Sequence, residues 1–238
     1  MKIRSVILAV IFLISGVFYY AITDENTTKS PTKIARVIDG DTFENDLGQK
    51  FRLKGINTPE SSMFFHDEAR DFLDNFVNRS VEVEGYGFDK YGRTLAQIFY
   101  NGQHVNEEIL REGLGTLYYY EPDDYYKNLK DAEDFARLNE KGIWRKSRDA
   151  GCLYLIELSY AEKRGRCSNE EILKLRNDCD KDLELTIKDD ATHIYKEKIP
   201  ANQLWEKNFS CIWNDDGDSL YVWDNEGILL FHRYHRNS

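Results

Sequence analysis

Two short polar clusters, Asp39-Gly40-Asp41-Thr42 and Asn57-Thr58-Pro59-Glu60, stand at the ends of short apolar runs, with Arg52 between them. Asp-Gly between two such runs signals a tight turn. Pro59 has no amide hydrogen and biases Thr58 towards extended backbone, so it closes the strand before it. Strand ends that meet this way can bring together Asp41, the Asn57 amide oxygen and the Thr58 carbonyl. These are hard oxygen ligands of the kind calcium takes, with water completing the shell. Arg52 adds a planar guanidinium whose fork matches phosphate oxygens. Either cluster alone reads as readily as a hairpin turn or a loop. A third stretch, Asp89-Lys90-Tyr91-Gly92-Arg93-Thr94-Leu95-Ala96-Gln97-Ile98-Phe99, tips the balance by setting a basic turn before an apolar strand. Two arginines, paired acids and a hard-metal ligand set are the inventory of phosphodiester hydrolysis.

In this order the three stretches resemble the staphylococcal nuclease (thermonuclease) family over about residues 32–146, the Asp89–Phe99 segment most specifically. The resemblance implies an α+β, mainly β fold: a five-stranded OB-type barrel with three helices that cleaves DNA and RNA with calcium, leaving a 3′-phosphate. It implies Asp41, Asn57 and Thr58 as metal ligands, the last through its backbone carbonyl. Arg52 and Arg93 correspond to the arginines that hold the scissile phosphate, and Glu60 to the glutamate that activates water. Lys90 and Tyr91 match the pair that contacts a terminal phosphate, and Tyr118 and Tyr120 the base-stacking tyrosines. One position departs: Asn57 stands where the family pattern has aspartate. Asparagine keeps the oxygen and loses the charge, so a higher calcium requirement is expected rather than inactivity.

The elements that must position these groups are legible in the periodicity. Strands are expected at 34–38, from 42, at 51–56 and from 81, and a helix over 67–77, where Ala69, Phe72, Leu73, Phe76 and Val77 share one face. A second helix is expected over 105–112, ended by Gly113, and a third from near Asp123 to Leu138, stopped at Lys141-Gly142, with Trp144 packing back. Alternation in an extended segment points Tyr118 and Tyr120 the same way. His66 and His104 belong to no ligand or base pattern and read as surface or packing residues.

The formal net charge of -10 over 238 residues excludes a generally basic nucleic-acid surface. Contact with a polyanion must be local and salt-sensitive, through Arg52, Lys54, Lys90 and Arg93. Residues 1–23 read as a signal anchor or signal peptide: Lys2 and Arg4 precede an apolar run over 6–22. Either form places the remainder outside the cytoplasm, on the membrane if uncleaved and secreted or periplasmic if cleaved. Residues 24–31 read as a linker, 32–148 as the nuclease-like domain and 151–238 as a second domain.

All four cysteines, Cys152, Cys167, Cys179 and Cys211, lie in that second domain. In an exported chain they suggest two disulfides, with three possible connectivities. Cys167 to Cys179 fits least if the residues between them form an extended strand. Zinc is the alternative, but no Cys-x-x-Cys pair is present. Short strands are expected at 153–160, 171–176, 183–188, 210–213, 219–223 and 228–234, a small all-β sandwich. Segments around 169–177, 186–189 and 214–227 resemble the lamin-tail domain, an immunoglobulin-like module. The acids within 214–218 do not fit an EF-hand loop and read as a solvated hairpin turn. His232, Arg233 and His235 are expected to alternate across an edge strand. The functional expectation is an exported calcium-dependent nuclease. The alternatives are a catalytically weak or inactive OB-fold nucleic-acid-binding module, or an envelope scaffold whose business lies in the second domain.

Overall fold

The computed structural model describes residues 29–119, 122–160, 171–214 and 217–235. The predicted N-terminal apolar segment, Tyr120 and Cys167 lie outside them.

Five strands close the first unit: β1 (Ser30–Asp39), β2 (Thr42–Asn45), β3 (Lys50–Leu53), β5 (Ser80–Phe88) and β6 (Thr94–Tyr100). They run in the order β3-β2-β1-β5-β6, and a parallel pairing of β3 with β6 shuts the barrel. The first strand starts at Ser30, inside the expected linker, where it pairs with Val83. Three helices pack outside: α1 (His66–Asp74), α2 (Val105–Arg111) and α3 (Tyr126–Leu138). Ile34, Phe43, Leu53, Ile98, Ile109 and Leu129 are buried together in the core these elements enclose.

The strand expected over 51–56 is broken. Gly55, at φ 85, turns the chain after β3, and a short β4 (Ile56–Asn57) pairs instead with β8 (Thr116–Leu117). This break swings Asn57 and Glu60 off the barrel wall. The α1 helix ends three residues early, where Asn78 takes a left-handed φ of 64 and closes a run of turns. The α3 helix begins after Asp123 because that carboxylate accepts bonds from Tyr119 and the Tyr125 amide and pairs with Lys54. A short pair, β7 (Gln103–His104), extends the sheet edge.

The second unit is two antiparallel sheets around one core. One is ordered β13-β10-β9, from β9 (Leu153–Ser159), β10 (Glu171–Asn177) and β13 (Gln203–Phe209). The other is β12-β11-β14-β15, from β11 (Leu183–Lys188), β12 (Ile194–Ile199), β14 (Gly217–Trp223) and β15 (Ile228–His235). Strands β12 and β13, consecutive in the chain but placed in different sheets, are not among the expected strands, and the strand expected at 210–213 is irregular. There Cys211 has a φ of 61, and the Glu171 carboxylate takes the amides of Ile212 and Trp213. Cys152 and Cys179 form a disulfide, and Cys211 is also disulfide-bonded. Asp218 is not part of a solvated turn: it is buried and accepts the amides of Asp190, Asn214 and Ser219.

Trp144 does pack back, though against the second unit. It sits with Ile143, Tyr221, Trp223 and Ile228 in a separate core at the seam. Backbone bonds between Arg145, Ser147 and Ile228 stitch the same seam. Arg233, expected on an edge strand, does lie on the edge strand β15, but its side chain turns inward to the fully buried Glu133 of α3.

Candidate active site

Asp41 is the hub. It is 7% exposed at the turn between β1 and β2. One carboxylate oxygen accepts the Thr42 hydroxyl at 2.9 Å, and the other accepts the Thr58 amide at 3.0 Å and lies 3.0 Å from the Arg52 guanidinium. The same Arg52 nitrogen donates to the Asn57 side-chain oxygen. Arg93 joins from the opposite side: its Nη1 donates to the Thr42 hydroxyl at 3.3 Å while its Nε is held by Asp89 at 2.7 Å. Asp89 in turn accepts the amides of Tyr91 and Arg93, which makes the turn a fixed mount for the arginine. Both arginines, the aspartate and the asparagine therefore belong to one hydrogen-bonded unit.

Close backbone approach builds this unit. A Cβ on Gly40 would fall 2.8 Å from the Thr58 hydroxyl and 2.7 Å from Ala69, so only glycine lets the turn meet the Thr58 strand end. A Cβ on Gly115 would come within 2.8 Å of the Asn57 carbonyl, so glycine there admits the β4–β8 pairing.

Glu60 follows two residues after Thr58, half-buried, and its carboxylate accepts no hydrogen bond among the described residues. Burial raises its pKa above the ordinary carboxylate range, the negative charges of Asp39 and Asp41 add to this, and Lys188 and Arg52 oppose it. A carboxylate of raised basicity with free lone pairs is suited to take a proton from water. Asp39 is raised for the same reasons, burial first and then Asp41.

The side-chain oxygens of Asp41 and Asn57 converge on one Arg52 nitrogen, so they face a common point. Two such oxygens with the neighbouring Thr58 carbonyl fit a hard cation by ligand type, with a single full negative charge to hold it. Asn57 is committed on its other side too: its amide nitrogen donates to the Asp190 carbonyl at 2.6 Å. That carbonyl belongs to the second unit.

Of the remaining expected site residues, Tyr91 is 71% exposed on the Asp89–Arg93 turn, with the Lys90 ammonium 5.0 Å and the Arg93 guanidinium 5.4 Å from its ring. Tyr118 is half-buried, and its amide donates to the Gly55 carbonyl. Tyr120 lies outside the described residues, so no shared face with Tyr118 can be drawn. Lys54 is not a free contact for a polyanion, because Asp123 holds its ammonium between the rings of Tyr86 and Tyr119. His104 packs on Phe99 and its pKa falls to about 4 through burial.

Sequence reasoning passed over four contributors. Thr42 bridges Arg93 to Asp41. His66 bonds the Pro59 carbonyl at 3.0 Å and so braces the segment that carries Glu60. Lys188 and the Asp190 backbone reach the site from more than a hundred residues away; no local signal marks them.

Residues 50–146 match the family model described as staphylococcal nuclease homologue. Thermonuclease of Staphylococcus hyicus is 33% identical over 132 residues, which cover 50% of this chain and 78% of that one. An uncharacterized endonuclease of Haemophilus influenzae is 29% identical over 147 residues, 59% of this chain and 79% of the other. Staphylococcal-like nuclease CAN1 of Arabidopsis thaliana is 36% identical over 111 residues, 44% of this chain. The chain spans only 34% of that plant protein and 33% of an uncharacterized 38.1 kDa protein of Capnoides sempervirens.

Proposed function

The chain belongs to the family of staphylococcal nuclease homologues, and from that premise we propose that it is a calcium-dependent nuclease hydrolysing phosphodiester bonds of DNA or RNA. One observation carries the reading: Asp41, Asn57, Arg52 and Arg93 form a single hydrogen-bonded unit beside Glu60, whose carboxylate is of raised basicity and accepts no hydrogen bond among the described residues. Arg52 and Arg93 bind two oxygens of the scissile phosphate and compensate the charge that grows on it. Glu60 accepts the proton of the attacking water. Asp41, Asn57 and the Thr58 carbonyl would hold calcium, which when bound would supply Lewis-acid polarisation of a phosphate oxygen. Asp89 keeps Arg93 aimed, and Tyr91 with Lys90 meets the chain end. Replacing Arg93 by Ala removes one of two cations from the transition state and is expected to lower kcat by about a hundredfold or more, with the unfolding midpoint nearly unchanged. Near-normal turnover refutes the assignment.

Asn57 favours a second reading. With only one charged metal ligand and Arg52 seated on both oxygens, the unit also suits a binding module that has lost turnover. Binding of oligonucleotide without cleavage at any calcium concentration supports that reading.

Export is part of the proposal. It is supported by the charged-then-apolar start of the sequence and by the Cys152–Cys179 disulfide. The second unit is read as an immunoglobulin-like, lamin-tail module. Among the described residues its seven strands divide three and four between two antiparallel sheets, with the first, second and fifth on one side.

A further inference from the structure

Between the barrel and the second unit lies a cleft of about 400 Å³. That is the size range in which proteins hold small molecules. One wall is Asn57, Thr58 and Pro59, the same segment that carries the candidate metal ligands and leads into Glu60. The cleft is therefore continuous with the site.

The opposite wall comes from β11 and β12. Their register pairs Thr186 with Lys196 and Glu184 with Lys198, which puts these side chains on one face. Lys196 and Lys198, two residues apart on one strand, stand about 6.7 Å from each other along it. Successive phosphates of an extended single strand have a similar spacing. The charges of the cleft are mostly spent. Lys198 pairs with Asp182 at 3.1 Å, and Glu197 pairs with Lys207. Asp224 accepts the Ser147 hydroxyl and the amides of Glu226 and Gly227. Lys188 is buried with its amine on the carbonyls of Asp189 and Ala191. Glu184 lies across from Lys198 and makes no ion pair among the described residues. Lys196 is exposed and, among the described residues, has no ion-pair partner.

The floor is apolar and fixed. Met63, Phe64 and Trp223 line it. The Trp223 indole N–H donates to the Ile143 carbonyl at 2.9 Å, and its ring stacks on Tyr221 at 5.2 Å. Phe64 is held edge-on to Phe65, with the Arg145 guanidinium 5.0 Å from its ring. An apolar wall beside an unspent lysine, continuous with a phosphodiester site, matches a nucleotide: a flat base and an anionic phosphate.

We propose that this cleft is a subsite for one nucleotide flanking the scissile phosphate, with its base against Met63, Phe64 and Trp223 and its phosphate on Lys196. The inference rests on the hydrolase reading above and gives the second unit a part in substrate selection. A base can enter such a cleft only when unstacked from its neighbours, so single strands are preferred over duplex.

The test is Lys196→Glu in the full chain, beside Lys127→Glu, an equal charge change on the exposed face of α3. Steady-state cleavage is measured on a short single-stranded oligonucleotide and on bis-nitrophenyl phosphate, an ester with no nucleoside and no second phosphate, which offers Lys196 nothing to hold. Lys196→Glu is expected to raise KM for the oligonucleotide about tenfold at low salt, from losing one phosphate contact and adding a repulsive charge. Its kcat and its KM for the ester stay unchanged, and Lys127→Glu moves neither. Equal effects of the two variants, or a shift on the ester as well, overturn the subsite. If wild type cleaves neither substrate, the hydrolase reading fails on its own, and the cleft is judged by fluorescence anisotropy of the labelled oligonucleotide. Weaker binding by Lys196→Glu alone upholds it; equal binding overturns it.

Discussion

A buried ion pair joins the two units across their seam, and its removal has a calculable cost. Glu133 of α3 is 0% exposed. One of its oxygens accepts the Leu117 amide at 2.7 Å and an Arg233 nitrogen at 3.1 Å, and the other accepts the second Arg233 nitrogen. Arg233 also donates to the Ser219 hydroxyl at 2.7 Å and the Tyr221 hydroxyl at 2.9 Å. In Arg233→Leu the Glu133 carboxylate keeps one amide and loses its ion-pair partner among the described residues while remaining out of water. Leaving such a charge uncompensated costs about 3–5 kcal/mol. A domain is typically stable by about 5–15 kcal/mol, so the loss takes a large share of the total. Adding Glu133→Gln removes the charge but keeps an oxygen for the Leu117 amide, and should recover about 2 kcal/mol or more of the deficit. Urea unfolding followed by the fluorescence of Trp144 and Trp223, both buried at this seam, measures each variant. A loss below about 1 kcal/mol in Arg233→Leu, or no recovery in the double variant, refutes the claim that the pair closes the seam.

Three further outcomes are expected. Asn57→Asp restores a second charge at the metal ligands and should lower the calcium needed for half-maximal activity. The same change removes the donor to the Asp190 carbonyl and should cost about 1–3 kcal/mol of stability in EGTA; an unchanged calcium requirement contradicts the ligand assignment. Burial raises the Asp190 pKa to about 6. The folded state thus holds that proton more tightly than the unfolded one, and the associated stability is complete below the ordinary carboxylate pKa and lost as pH rises through about 6. Asp190→Asn should therefore match wild type in acid and exceed it by up to about 3 kcal/mol at neutral pH, and parallel pH–stability curves contradict this. Opening the Cys152–Cys179 disulfide by a double Ser substitution frees a loop with sequence separation 27. It should cost about 3–4 kcal/mol, read in the unfolding of the second unit, and a smaller effect in denaturant weakens the picture of a disulfide-stapled sandwich.

Local chemistry explains why so much of the barrel and its candidate site was readable. Gly40 between two aspartates, Pro59 after Thr58 and the Asp89–Arg93 turn each dictate a backbone form, and that form aims the neighbouring side chains. The break at Gly55 was harder, because the apolar run continues through it and only the positive φ interrupts the strand. Strands β12 and β13, in different sheets, give a weak apolar signal because charged residues such as Lys196, Lys198 and Glu206 fill their exposed positions. What the residues beside Asn57 could not show is the partner on its other side. The bond to the Asp190 carbonyl, the charge of Lys188 near Glu60 and the turn of Arg233 towards Glu133 all arise from docking two units. Such contacts have no period and no motif.

The central claim is that the Asp41–Asn57–Arg52–Arg93 unit with Glu60 cleaves phosphodiesters. The most direct test is cleavage of single-stranded DNA and RNA by the purified chain at low salt, calcium titrated against an EGTA blank, with Glu60→Gln beside it. Calcium-dependent cleavage that is lost in Glu60→Gln while oligonucleotide binding is retained is the predicted result. Cleavage that persists undiminished in Glu60→Gln, or binding with no cleavage at any calcium concentration, contradicts it.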